Sequence, residues 1–242
     1  MSYLAVIVVV GLVIAIHECG HLLAAKMCGI PIARFSVGFG PKLVGFKWRE
    51  TSYWLSAIPL GGYVLPALDE SEARSLPLHK NILFAAGGPL ANLVTAYLGL
   101  IALGRLEFSL TVIDTLSFAT TQLWIDLQQM AQAIPMLFTG TGVGEISGIV
   151  GIVAIGGSQF GSTLAGLLAF SIAINLNLAI FNLLPFPPLD GGRIAFAVLE
   201  KIHRPFFRIQ APVTLAGWVI MLGLMVYATV NDLGRIGLSV LA

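Results

Sequence analysis

The stretch Ile16-His17-Glu18-Cys19-Gly20-His21 holds the chain's most reactive set of residues, H-E-x-x-H, inside an apolar run from about Tyr3 to Met27. Two histidines four residues apart project from one face of a helix, so both imidazoles can bind one metal ion. Glu18 stands beside them as candidate general base. The spacing suits zinc, while the surroundings are those of a membrane helix.

Residues 3 to 25 are long enough to cross the roughly 30 Å hydrocarbon core, and His17 lies about 21 Å along the helix axis from Tyr3. The histidine pair is therefore within the membrane, toward the C-terminal end of that helix. Ionisable groups at such depth are costly unless paired, metal-bound or in a wet cavity, so three of them in five residues mark a functional site.

Catalytic zinc takes three protein ligands and a water, so a third ligand must come from elsewhere in the chain. His79 and His203 stand in polar connectors beside basic residues, where an exposed histidine is the ordinary outcome. Asp190 is the better candidate, as the only acid besides Glu18 in or near the spans as the sequence draws them. It follows the break Pro185-Phe186-Pro187-Pro188-Leu189, where prolines end a helix and bend the chain. A metal would offset the cost of burying its carboxylate.

Such a site is equipped for hydrolysis. The metal acidifies a water and polarises a carbonyl, and Glu18 takes the proton and returns it to a leaving amine. A neutral amide such as Asn92 or Asn182 could stabilise the oxyanion. For these two asparagines, hydrogen bonds between helices are an equal reading.

The elements that must position these groups are those of an integral membrane protein. The 242 residues are 57% hydrophobic and 10% charged, with mean hydropathy +0.91, far from the roughly 25% charge of soluble domains. A net charge of +1 without a basic face gives no reason to expect a nucleic-acid partner. Cys19 and Cys28, about 13 Å apart on a helix, are too distant for a disulfide and read as packing residues. No Lys or Arg precedes Ala5 and no small-residue cleavage site follows, so the first segment reads as a retained span rather than a signal peptide.

Spans are predicted at about 3–25, 82–104, 164–184 and 209–230. Between the first two, residues 31–65 alternate aromatic and β-branched stretches with Gly40-Pro41, Pro59 and Gly61-Gly62, which predicts a small, partly embedded β-meander. A free edge of that sheet could pair with an extended peptide. Leu123, Leu127, Met130, Ile134 and Leu137 recur at helical spacing among glutamines, predicting an amphipathic helix over about 118–138. Residues 142–161 are Gly-rich and read as a loop or re-entrant piece. Arg193 to Arg208 is a basic connector with a short helical stretch, and Asn231-Asp232 a polar end.

The fold class expected is thus a mainly α membrane protein: four transmembrane helices, a small membrane-associated β-sheet after the first, and an amphipathic helix between the second and third. The connectors after the first and third spans carry 7 and 4 basic residues, against Arg105 and Arg235 on the other side. The positive-inside rule puts both termini outside and the metal site toward the cytoplasm.

Three segments together resemble the site-2 protease family of intramembrane zinc metalloproteases, peptidase family M50: His17-Glu18-Cys19-Gly20-His21, Gly88-Pro89-Leu90-Ala91-Asn92, and Asn182-Leu183-Leu184-Pro185-Phe186-Pro187-Pro188-Leu189-Asp190-Gly191. Ile58-Pro59-Leu60-Gly61-Gly62-Tyr63-Val64 also looks like that family's membrane-associated β-hairpin. The resemblance implies one Zn2+ per chain on His17, His21 and Asp190, catalysis by Glu18, and substrate or oxyanion roles for Asn92 and Asn182. It implies regulated intramembrane proteolysis of a single-pass membrane protein, such as an anti-sigma factor or a signal-peptide remnant, in a bacterial cytoplasmic membrane.

Many relatives of that kind carry PDZ domains between the second and third spans. The 40 residues from Arg105 to Gly144 are too few for one. The expectation is a single domain over 1–242, with PDZ filtering absent or supplied by an adaptor, and with the 118–138 helix as a lid. The competing class is a membrane metal transporter or sensor using the same His and Asp ligands, but no internal repeat supports it.

Overall fold

Long apolar runs become helices in a membrane because nothing but the chain itself can satisfy their backbone polar groups. The computed structural model describes residues 3–139, 148–160, 163–203 and 205–241. Along them run α1 (Tyr3–Met27), β1 (Ile32–Trp48), β2 (Thr51–Pro66), α2 (Glu70–Ser75), α3 (Leu78–Phe108), α4 (Val112–Thr139), α5 (Ile149–Gln159), α6 (Leu164–Leu183), α7 (Asp190–Ile202) and α8 (Phe206–Leu241).

Among the described residues, four helices are long and apolar enough to cross a membrane: Tyr3–Met27, Leu78–Phe108, Leu164–Leu183 and Arg208–Arg235. Leu12 and Leu23 on α1, and Leu90, Val94 and Leu98 on α3, are exposed on the protein surface, as lipid-facing side chains should be. The mainly α membrane architecture with a small antiparallel sheet after α1 is the one the sequence leads to.

The chain forms two compact units, one of Val10–Val94 with Leu178–Thr214, the other of Met1–Val9, Thr95–Asn177 and Leu215–Ala242. In the first, α1 stops at Gly29, whose φ of +67° is easy only for glycine. The Ile30 N–H reaches back to the Ala25 carbonyl at 2.8 Å, closing the helix end, and Pro31 cannot continue it. Ile30 then buries with Ala25, Ile32 and Phe84, seating the start of β1 on α1 and α3.

The two strands pair through a turn at Trp48 and Thr51, but β1 is bent. Its first part lies beside two stretches of β2, so that Phe35 neighbours both Val64 and Tyr53, while its second part pairs Val44 with Leu55 and Phe46 with Tyr53. The meander thus has edges at about 42–48 and 62–66. After it, the short helix α2 is capped by Asp69, whose carboxylate accepts the Ser71 and Glu72 N–H groups. Those bonds, led by the local backbone contact with Glu72, hold the Asp69 carboxyl below its ordinary range.

α1 and α3 approach through small residues. A Cβ placed on Gly20 would fall 2.6 Å from the Ala91 Cβ, and one on Gly87 would fall 2.7 Å from the Ala24 Cβ. Glycine at such a crossing is how membrane helices come close without a hydrophobic driving force between them.

In the other unit α4 is amphipathic, as its pattern requires. Leu123, Leu127, Met130 and Ile134 are half-buried while Gln128, Gln129 and Gln132 are exposed. Two expectations need correction here. Residues 149–159, read as part of a loop or re-entrant piece, form helix α5; residues 142–147 lie outside the described residues.

Asp232, read as part of a polar end, is instead buried within α8. Its carboxylate accepts the Gly151 N–H at 2.7 Å, satisfying one of the unpaired donors in the first turn of α5. The acid and the helix it caps are 81 residues apart, so neither local pattern discloses the other. Asp190 is therefore not the only acid besides Glu18 set in the helical framework.

Candidate active site

One turn of α1 places His17 and His21 side by side, and the chain returns 173 residues later to put Asp190 against them. The return depends on the Pro-rich break, which is braced by local backbone hydrogen bonds. Leu184 N–H bonds to Phe181 O, Leu189 N–H to Phe186 O and Arg193 N–H to Leu189 O, at 2.9–3.1 Å. Gly191 and Gly192 let α7 begin tight against that turn; a Cβ on Gly192 would lie 2.7 Å from Phe186 backbone atoms.

Three donor atoms form a triangle. His17 Nε2 is 3.1 Å and His21 Nε2 3.3 Å from Asp190 Oδ2, and the two nitrogens are 3.2 Å apart. Ligands held about 2.0–2.1 Å from a tetrahedral zinc stand about 3.3–3.4 Å from one another. The triangle therefore fits that ion, and no other group of three or more His, Cys, Asp or Glu side chains among the described residues is placed to hold a metal.

Tautomer and orientation are set by the surroundings. His21 Nδ1 donates to the Phe84 carbonyl at 2.8 Å, which leaves the Nε2 lone pair free for a metal. The His17 Nδ1 is buried without a partner among the described residues, so its ring is held by packing. Gly88 supplies that packing, since a Cβ there would lie 2.7 Å from His17 Cε1 and Nε2. Burial pushes the Asp190 carboxyl up, but the two imidazoles facing Oδ2 outweigh it and hold the group below its ordinary value, as an anion.

Glu18 is buried next to the pair and turned toward the sheet. A Cβ on Gly62 would come 2.6 Å from Glu18 Cγ, so the β2 backbone passes directly over this carboxylate arm. Asn92 lies one turn beyond Gly88 on the same face of α3; it is fully buried, with both amide atoms unpartnered among the described residues. Asn182 differs, for its amide nitrogen bonds at 2.9 Å to the Leu178 carbonyl of its own helix. His79 and His203 are not part of the triangle.

The sequence pattern for Peptidase family M50 matches residues 5–224, nine-tenths of the chain. The chain belongs to Peptidase family M50. Among its relatives, proteins of Nostoc sp. and Synechocystis sp., both named as zinc metalloproteases, are each 26% identical over 96% of this chain and 96% and 94% of their own lengths. A chloroplastic membrane metalloprotease of Arabidopsis thaliana is 24% identical over 84% of this chain and 71% of its own. The protein is accordingly a multi-pass membrane zinc metalloprotease, with zinc as its cofactor.

The Nostoc alignment runs over 348 positions against a chain of 242 residues. More than 100 of its positions are thus gaps in this M50 protease. Sequence reasoning had not assigned work to Gly62, Gly88 or the Phe84 carbonyl. Only Gly87-Gly88 beside Pro89 carried a signal, as a place where a helix loses side chains in order to be approached.

Proposed function

We propose that this protease cleaves within the membrane, hydrolysing a peptide bond in or beside a transmembrane segment of a single-pass membrane protein. The observation that carries this reading is the site's depth. Glu18, His17 and His21 lie on a helix long and apolar enough to span the membrane, with Glu18 about 13 Å along the axis from its end at Met27, and Asp190 meets the two imidazoles there from α7. A bond brought to that depth belongs to a segment that is itself in the bilayer.

A helical substrate hides its carbonyls in its own hydrogen bonds and must be extended before attack. The edge of β2 at Gly62–Leu65 is suited to that task, because its known partners Val37 to Arg34 all lie on the β1 side. An extended segment added there would gain main-chain hydrogen bonds and pass over Glu18.

His17, His21 and Asp190 would hold zinc, which supplies polarisation of the scissile carbonyl and acidification of a water. Glu18 takes the proton from the attacking water and delivers it to the leaving nitrogen as the C–N bond breaks. Asn92, rather than the self-bonded Asn182, offers the N–H that would meet the oxyanion. The excess of basic residues in the connectors after the first and third spans supports an orientation with this site toward the cytoplasm and both termini outside. The short stretch between the second and third spans supports a reading in which substrate filtering of the PDZ type is absent or comes from a separate adaptor. Anti-sigma factors and signal-peptide remnants are the substrate classes to try first.

The test is reconstitution of wild type and Glu18→Gln with a single-pass substrate. Glu18→Gln should keep its zinc and lose about 10²- to 10⁴-fold in cleavage rate, the usual share of a general base. Equal cleavage by both proteins, or cleavage confined to water-exposed loops of the substrate, would reject the reading.

A further inference from the structure

The sheet after α1 is graded along its length in a way its place over Glu18 does not require. Gly62 lies against Glu18, whereas Trp48 and Tyr53 lie at Lys26, about 12 Å farther along α1 toward its C-terminal end. At the deep end the exposed side chains are aliphatic or phenyl: Phe39, Leu43, Val44, Leu55 and Ile58, with Leu43 65% exposed. Apolar exposure on that scale belongs in lipid.

Toward the α1 end come the ring-bearing residues Phe46, Tyr53, Trp54 and Trp48, and then the cations. The Lys26 ammonium is 3.0 Å from the Tyr53 hydroxyl and 5.4 Å from the Trp48 ring centre, and the Arg49 guanidinium is 5.4 Å from the same ring. Lys47, exposed, precedes Trp48 in the strand.

Lys42 confirms the direction of the gradient. Its backbone pairs with Ser56, but its ammonium lies 5.6 Å from the Trp54 ring, nearer the turn. A lysine rooted in an apolar zone that reaches for the polar boundary is snorkelling. Aliphatic, then aromatic, then cationic is the order of a bilayer from its core to its headgroups. Between Cys28 and Leu68 the only acid is Glu50, against Arg34, Lys42, Lys47 and Arg49.

We propose that Lys26 and Arg49 on the ring of Trp48, with Lys47 next to it in sequence, form a binding site for the phosphate of an anionic lipid headgroup. Trp48 holds two of the cations by its ring face and places them at headgroup depth, while the deep end of the sheet anchors among the acyl chains. Cations at a membrane surface each contribute a several-fold preference for anionic lipid, and two on one indole with a third beside it in sequence make a site rather than a diffuse field.

The experiment uses the full chain with Trp124→Phe and Trp218→Phe, leaving Trp48 and Trp54 as reporters among the four tryptophans. It is reconstituted in vesicles of phosphatidylcholine and phosphatidylglycerol at equal mole fraction, with one or the other lipid brominated. Quenching should report about a fivefold enrichment of phosphatidylglycerol next to the reporters, weakened by salt. The enrichment should vanish in Lys26→Gln/Lys47→Gln/Arg49→Gln with zinc content unchanged. Equal quenching by the two lipids, or enrichment that survives the triple substitution, would overturn the proposal. Loss of enrichment on adding a soluble acidic peptide at matched ionic strength would overturn it in favour of a protein partner.

Discussion

Gly88 is empty because two imidazoles occupy the space beside it. A methyl group there would sit within 2.7 Å of His17 Nε2 and closer still to His21 Nε2, and neither ring can retreat, His21 being tied to the Phe84 carbonyl. Gly88→Ala should therefore leave the helices formed and weaken zinc binding by roughly 10- to 100-fold, the range seen when groups that orient ligands are changed. Competition with a chelating dye reads that loss directly, and unchanged affinity would mean the rings are freer than their packing indicates. At this scale the grouping was legible: spacing put His17 and His21 on one face with Glu18 beside them, and the expectation that Asp190 turns back to them agrees with where it lies. Residues that act by having no side chain, such as Gly62 and Gly88, were not, because their reason lies in a neighbour distant in sequence.

At the scale of elements, the site depends on how α7 leaves the Pro-rich turn. Gly191 fits against the Leu183 and Leu184 carbonyls with no room for a Cβ. Gly191→Ala should swing the start of α7 outward and move Asp190 with it. The expected outcome is protease of normal abundance whose zinc content and cleavage both fall, with cleavage partly restored by excess zinc; zinc content equal to wild type would refute the argument. Apolar periodicity marked the long helices well, because length and hydropathy are local properties. It missed α5 and the burial of Asp232, because a carboxylate at the N-terminus of a helix 81 residues away leaves no local trace. The bent course of β1 between two stretches of β2 was likewise beyond a pattern that gives strand positions but not partners.

For the whole molecule, the proposed reading puts the metal site within the bilayer, where it is reached more readily from lipid than from water. An uncharged, lipid-soluble chelator should strip zinc and abolish activity in reconstituted vesicles well before a charged chelator of equal affinity does, and added zinc should restore cleavage. Equal rates would place the donor triangle in open contact with water. The sidedness argued from basic residues is checked by single cysteines, in a background with Cys19 and Cys28 replaced, reacting with a membrane-impermeant reagent. A cysteine at position 233 should react from outside the cell and one at position 50 only from within. Order of assembly follows from the 173 residues that separate His17 from Asp190. While the chain is being made, its first helix enters the membrane carrying two zinc ligands, and the third does not yet exist. Two imidazoles alone hold the ion weakly, so metal capture waits until Asp190 has been made. The enzyme is consequently inert while its earlier helices insert, and its activity begins only when the chain has closed back on α1.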